Sequence, residues 1–78
     1  MTKNLKNIPL KTFRKFLIHC DLKKIRISGG HEIWSGNHLK RPIVLQSHID
    51  PIPEFIIRNN LRILTISPEE FKKYLENN

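Results

Sequence analysis

The spacing of apolar residues changes once along this chain, and that change restricts the fold more than any other feature. One early segment has the i, i+3, i+4, i+7 spacing of an amphipathic helix, preceded by Pro9 as a tolerable first-turn residue; its apolar positions are Phe13, Phe16, Leu17 and Cys20. From Leu22 to Ser28 the period becomes two, with Ile25 and Ile27 on one side, which predicts a half-buried strand. A helix followed by a strand is therefore expected.

Two further strands are expected after this one. Gly29 and Gly30 can both adopt positive φ, so they permit a tight hairpin turn into a second strand at about residues 31–35. A third strand, Ile-Val-Leu-Gln at residues 43–46, is almost continuously apolar. Such a run favours a central or doubly covered position in a sheet.

The second half of the chain is expected to be helical. One helix should begin near Pro53, with Asn59 and Asn60 as a possible early end. A last short helix should span residues 67–77, because Ser67 and Glu70 have the spacing of a capping box. The full order is α, β, β, β, α and a terminal α.

This order predicts an α+β fold in one domain, residues 1–78, with a three-stranded antiparallel sheet and helices packed on one face. The other face would be free to meet a partner. It is also the order of the double-stranded-RNA-binding domain, which recognises RNA shape through phosphates and 2′-hydroxyls.

Charge and cysteine content indicate the class of partner and the compartment. The net charge is +7, and basic residues dominate upstream of the glycine pair, which favours nucleic acid as the partner. An anionic membrane surface, an acidic protein or a merely basic surface stay open as alternatives. The single cysteine, Cys20, fits a reducing compartment, and no leader or spanning segment of roughly 18 apolar residues is seen, so we expect a cytoplasmic protein.

Four histidines are the groups most able to do chemistry near neutral pH. They lack metal-ligand spacing, so we expect neither a metal nor another cofactor. His19 and His38 look incidental, whereas His31 directly follows the glycine pair and His48 lies just after the third strand.

Several segments resemble the HicA toxins of bacterial type II toxin-antitoxin systems. The resemblance covers almost the whole chain and includes the Phe16-Leu17 pair of the first helix. The matching motifs are Arg26-x-x-Gly29-Gly30-His31-x-Ile33-Trp34, Gln46-Ser47-His48 and Ile66-Ser67-Pro68-Glu69-Glu70-Phe71. Family members are small mRNA interferases with the fold of a double-stranded-RNA-binding domain.

By this resemblance His31 matches the catalytic histidine of the family. Imidazole suits metal-free RNA cleavage, in which a group takes the 2′-hydroxyl proton or protonates the leaving 5′-oxygen. Gly29 and Gly30 would let the phosphate backbone approach closely. Gly30 stands where the family usually has serine, and Ser28 is the nearby hydroxyl that could replace it. The resemblance also implies mRNA as the substrate and a HicB-like antitoxin protein as the partner.

Other residues of the predicted site have two interpretations each. Lys24 and Arg26 would project together from the outer face, either to hold the scissile phosphate or as an ordinary solvated strand face. Trp34 could stack on a base or belong to the core or a partner interface. His48 could be a second acid or base or could cap the turn that follows it.

Strict alternation puts His31 on the same side as Ile33. One of the two would then face the helices unless the glycines introduce a bulge, and we expect a bulge or a frayed strand end at the glycine pair. The resulting hypothesis is a toxin that cleaves mRNA as a metal-independent endoribonuclease and thereby stops translation. The alternatives are an RNA-binding module without catalysis and a protein-interaction domain of the same fold.

Overall fold

A computed structural model describes residues 5–77, which form three helices and one three-stranded sheet. The elements are α1 (Leu10–His19), β1 (Lys23–Ser28), β2 (His31–Ser35), β3 (Ile43–Gln46), α2 (Glu54–Leu64) and α3 (Pro68–Asn77). Both strand pairs are antiparallel, and the spatial order is β1-β2-β3. The predicted α+β class and the three-stranded antiparallel sheet are confirmed.

The buried side chains form one cluster between the helices and one face of the sheet. The sheet contributes Trp34, Ile43 and Leu45, and the helices contribute chiefly Phe13, Phe16, Leu17, Ile57, Leu61, Phe71 and Leu75. Aromatic rings join α1 to α3, with the Phe16 and Phe71 centroids 4.7 Å apart in an edge-on arrangement. No helix formed by residues 5–77 lies over the other face of the sheet, which carries His31, Val44 and Gln46, all exposed.

Helix ends are mostly where local sequence signals place them. Helix α2 begins directly after Pro53 and runs through Asn59 and Asn60, so the possible early stop does not occur. The capping box of α3 is formed: Glu70 N–H donates to Ser67 Oγ, and Ser67 N–H donates to Glu70 Oε1, each at 3.2 Å. Helix α1 is capped from a distance, because Leu10 N–H donates to the Asp50 carboxylate at 2.9 Å.

Strand β1 is exposed along its whole length, which contradicts the predicted half-buried strand. Ile25 and Ile27 are 59% and 61% exposed. The reason is that the helices cover β2 and β3 but not this edge strand. The bulge predicted at the glycine pair is also absent there; the register shifts between Lys24 and Arg26.

Strand β3 is an edge strand, so the central or doubly covered position predicted for it is wrong. Its side chains alternate between buried and exposed: Ile43 and Leu45 face the helices, whereas Val44 and Gln46 face outward. The nearly continuous apolar sequence of β3 therefore does not indicate a strand that is covered on both faces.

Strand β2 alternates without interruption. His31 and Ile33 both lie on the open face, and the positions that face the helices are Glu32 and Trp34. The bulge or frayed strand end expected at the glycine pair is therefore absent, and Glu32 occupies the inward position between His31 and Ile33.

Candidate active site

His31 is the first residue of β2 and lies on the open face of the sheet. Its Cα partners are Ser28 on β1 and Gln46 on β3, and residues directly opposite each other in an antiparallel pair point to the same face. The three side chains therefore form a polar row across the end of the sheet. Its imidazole is exposed to solvent.

His48 lies beside the turn that precedes His31. Ser47 N–H donates to Gly30 O at 2.8 Å and so extends the contact between β2 and β3 beyond the last strand residue. The next side chain, His48, is close to Gly30: a Cβ added to that glycine would be 3.4 Å from His48 Nδ1. Two exposed imidazoles are thus at the same end of the first hairpin.

The glycine pair has the backbone that a tight turn requires. Gly29 and Gly30 have φ of +57° and +82°, a region that L side chains rarely adopt. A Cβ added to Gly29 would meet nothing within 4 Å, so this side of the turn is open. An RNA backbone has room to approach the turn at Gly29.

Arg26 and Lys24 point to opposite faces, which contradicts their predicted common face. Arg26 is opposite Ile33, so it shares the open face with His31. Lys24 is opposite Trp34, and its Nζ lies 6.0 Å from the Trp34 ring centroid. The bulge between them is the cause, because one extra residue reverses the alternation of side chains.

Trp34 belongs to the core and not to an RNA surface. It is 4% exposed, and its Nε1 donates to Glu32 Oε1 at 3.1 Å. The interpretation of Trp34 as a base-stacking residue is therefore wrong, since neither face of the ring can reach a base.

Glu32 is a residue of the candidate site that its sequence pattern did not single out. It is 1% exposed and accepts hydrogen bonds from three side chains: Arg14 on α1, Trp34 on β2 and Ser47 after β3. Arg14 also forms an ion pair with it. The hydrogen bond from Arg14 is the largest cause that lowers the pKa of Glu32 to about 2, with smaller contributions from Trp34 and Ser47.

This carboxylate has a direct structural link to the imidazoles. Ser47 Oγ donates to Glu32 Oε2 at 3.1 Å, and Ser47 is adjacent to His48 in the chain. Glu32 itself follows His31. The buried Glu32 carboxylate therefore links the two backbone segments that carry His31 and His48. The signal was present in the sequence: a glutamate two residues before a tryptophan, in a strand, shares its buried face.

The remaining histidines lie elsewhere. His19 stacks near Phe16 at the end of α1, and His38 is in the loop after β2, beside Gly36. Within residues 5–77 no three His, Cys, Asp or Glu side chains are grouped closely enough to hold a metal ion. The thiol of Cys20 is half-buried against the core, and this burial raises its pKa.

Comparison of the chain with family models, curated proteins and solved structures finds no match. None of the helices formed by the described residues is long and apolar enough to cross a membrane.

Proposed function

We propose that this chain is a HicA-like toxin with the fold of a double-stranded-RNA-binding domain, which cleaves mRNA in the cytoplasm without a metal ion. The observation that carries the proposal is that two exposed imidazoles lie next to Gly30: His31 follows it in the chain, and the His48 ring is within contact distance of a Cβ built on it. One imidazole can take a proton while a second gives one, which is what a metal-free phosphodiester cleavage requires.

The proposed reaction uses the RNA 2′-oxygen as nucleophile. One imidazole takes the 2′-hydroxyl proton while the 2′-oxygen bonds to phosphorus. The bond from phosphorus to the 5′-oxygen breaks, and the other imidazole protonates that oxygen. The products are a 2′,3′-cyclic phosphate and a 5′-hydroxyl end, so the protein needs no nucleophile of its own.

The surroundings of the imidazoles are suited to a phosphate. Arg26 projects from the same face as His31 and would stabilise the negative charge that develops on the phosphoryl oxygens. Ser28 is directly opposite His31 and supplies a hydroxyl on that face. Gly29 leaves open space for the backbone of the RNA.

The proposal includes a HicB-like antitoxin as the partner. The open face of the sheet is free to receive a protein, and a partner lying over it would cover His31 and Arg26 together. With a net charge of +7 on the toxin, an acidic partner surface would associate faster through electrostatic steering.

The test is cleavage of a defined mRNA by purified protein in excess EDTA. We expect wild-type cleavage to persist, His31→Ala to abolish it, and His48→Ala to reduce it by roughly 10²-fold or more, as for loss of one acid or base. His38→Ala is the matched control, because this imidazole lies in another loop, and it should cleave like the wild type. Intact RNA with folded wild-type protein would refute the proposal.

A second candidate function is RNA binding without catalysis. It is favoured by β1, which is exposed along its length and carries Lys23, Lys24 and Arg26. In that case RNA affinity would be measurable in the same samples, but no variant would lose cleavage because none would cleave.

A further inference from the structure

The outer edge of β3 is an unused row of backbone hydrogen-bonding groups. Because Ser47 N–H bonds to Gly30 O, alternation in the antiparallel ladder makes the Leu45 and Ile43 positions the other hydrogen-bonded ones. The backbone N–H and C=O of Val44, and the N–H of Gln46, therefore point away from β2. No strand within residues 5–77 pairs with them.

The two edges of the sheet differ in their protection against strand addition. Edge strands are usually protected by charged residues or a bulge. The β1 edge has both, since Lys23, Lys24 and Arg26 lie along it and the register shifts there. Strand β3 has the sequence Ile-Val-Leu-Gln, without charge or bulge.

An apolar groove of about 360 Å³ runs beside the β3 edge, between this strand and α2. Val44 and Gln46 form one wall, and Phe55 and Ile56 of α2 form the other. Phe55 is 70% exposed and adds exposed apolar surface to the groove. The groove is thus lined by apolar side chains that nothing in the described chain covers.

Asn60 is an independent observation that indicates a polar ligand group in the groove. It is 3% exposed and lines the groove, yet no acceptor within residues 5–77 bonds to its Nδ2. A buried donor without a partner is costly, and native proteins seldom leave one. A carbonyl oxygen of an occupant would satisfy it.

Charge restricts the chemistry of the occupant. Arg41 lines the groove, and Lys40 and Arg62 line the adjoining hollow. The two spaces share Arg41, Asn59 and Ile63. Among the described residues that line either space, none is acidic. A segment with carboxylates at one end complements this rim.

We propose that an extended segment of a partner protein binds here as a fourth strand. Its backbone would pair with Val44 and Gln46, its alternate apolar side chains would fill the groove beside Phe55, and a carbonyl would accept from Asn60 Nδ2. Acidic residues at its end would meet Arg41 and Arg62. This mode of recognition takes affinity from main-chain hydrogen bonds and specificity from alternate side chains.

His31 also lines the groove, so the occupant would lie against this imidazole. If His31 acts on RNA, as the proposed function states, the bound segment would also inhibit cleavage. This consequence rests on the proposed function. Strand addition itself does not depend on cleavage, and binding is therefore measured separately.

The test is titration of the ¹⁵N-labelled full chain with a pool of short peptides that have apolar residues at alternate positions and Asp or Glu at one end. We expect shifts of the backbone amide signals of Val44 and Gln46 and of the side-chain amide signal of Asn60. Hydrogen exchange of the backbone amides of Val44 and Gln46 should become slower. A pool with Lys at the end should bind at least about tenfold more weakly. Peptides N-methylated at alternate residues should lose binding, because a fourth strand needs their backbone donors.

Two variants separate this site from a structural role. Val44→Pro removes an outward N–H that the fold does not use, and proline is tolerated on edge strands; it should abolish peptide binding, whereas Val44→Thr, which keeps the N–H, should not. Asn60→Leu should raise the thermal unfolding midpoint, because it removes a buried donor that lacks an acceptor. It should also weaken peptide binding by about tenfold, because the peptide carbonyl loses its donor.

Three results would overturn the proposal. One is that neither peptide pool alters the Val44 and Gln46 signals. Another is concentration-dependent dimerisation of the free chain through β3, which would make a second copy the occupant. The third is perturbation of the groove signals by an RNA oligonucleotide but not by peptides. If the protein does not cleave RNA, peptides can still shift these signals. Failure of the proposed function is therefore distinguishable from failure of this proposal.

Discussion

Glu32 joins three parts of the chain through one buried carboxylate. Arg14 of α1, Trp34 of β2 and Ser47 of the turn after β3 all donate to it. Because these donors favour the ionised form, the pKa of Glu32 falls to about 2. Protonation of Glu32 in the folded protein would weaken the contacts that hold the turn bearing His48.

Glu32 should therefore make stability depend on acid pH. In the unfolded chain its pKa returns to its ordinary value near 4.5, so the folded state keeps it ionised where the unfolded state has bound a proton. The contribution, on the order of 3 kcal/mol, is complete above about pH 5 and is lost as the pH falls toward 2. The measurement is urea denaturation of wild type and Glu32→Gln over this range.

The control is Glu54→Gln, which removes the exposed ion pair with Arg58 on α2. Such a pair contributes only about 0.3–0.5 kcal/mol. We expect Glu32→Gln to be much less stable than wild type at neutral pH and to lose less stability in acid. Equal acid sensitivity of wild type and Glu32→Gln would mean that another group dominates.

At the level of elements, the local pattern correctly predicted which segments form helices and strands but not how far the helices reach across the sheet. Ile27 belongs to an alternating strand segment and Ile43 to an apolar one. Neither local sequence shows which of the two side chains is buried. Ile43 is fully buried, whereas Ile27 lies on a strand that the helices do not cover. Coverage depends on tertiary packing, which short-range spacing does not encode.

This difference gives a paired prediction. Ile43→Ala should lower the free energy of unfolding by about 2–5 kcal/mol, because it opens a cavity in the core. Ile27→Ala should change it by no more than about 0.5 kcal/mol, as for other exposed positions. Chemical denaturation of both variants measures the two values. A large loss from Ile27→Ala would mean that β1 is covered in solution.

The candidate site was also only partly predictable from sequence. His31, Gly29, Gly30 and His48 were singled out from their motifs, and the structure brings them to one end of the hairpin. The assignment of Trp34 failed because its local sequence does not show which face of β2 the helices cover. The assignment of Lys24 failed for a different physical reason. A bulge in β1 changes which side chains share a face, and a bulge of this kind leaves no composition signal in a stretch such as Lys-Lys-Ile-Arg.

For the whole molecule, charge should govern any RNA affinity. The net charge of +7 predicts that log affinity falls linearly with log salt, by about 0.7 per phosphate contact for single strands. We expect Arg26→Glu to reduce both affinity and slope, because Arg26 lies on the open face. Lys73→Glu makes the same change of charge on α3 and should alter both much less. Fluorescence anisotropy over a salt series measures this, and equal effects of the two variants would argue against the open face as the RNA surface.

The contact between Gly30 and His48 also constrains how this sequence can change. A side chain at Gly30 would have to adopt φ of +82° and would start 3.4 Å from the His48 ring. A serine at this position would therefore strain the turn by roughly 1–2 kcal/mol and place its Cβ in contact with the imidazole. Because the strain comes from the positive φ of Gly30 itself, a serine at this position costs folding stability unless the backbone of the hairpin changes as well.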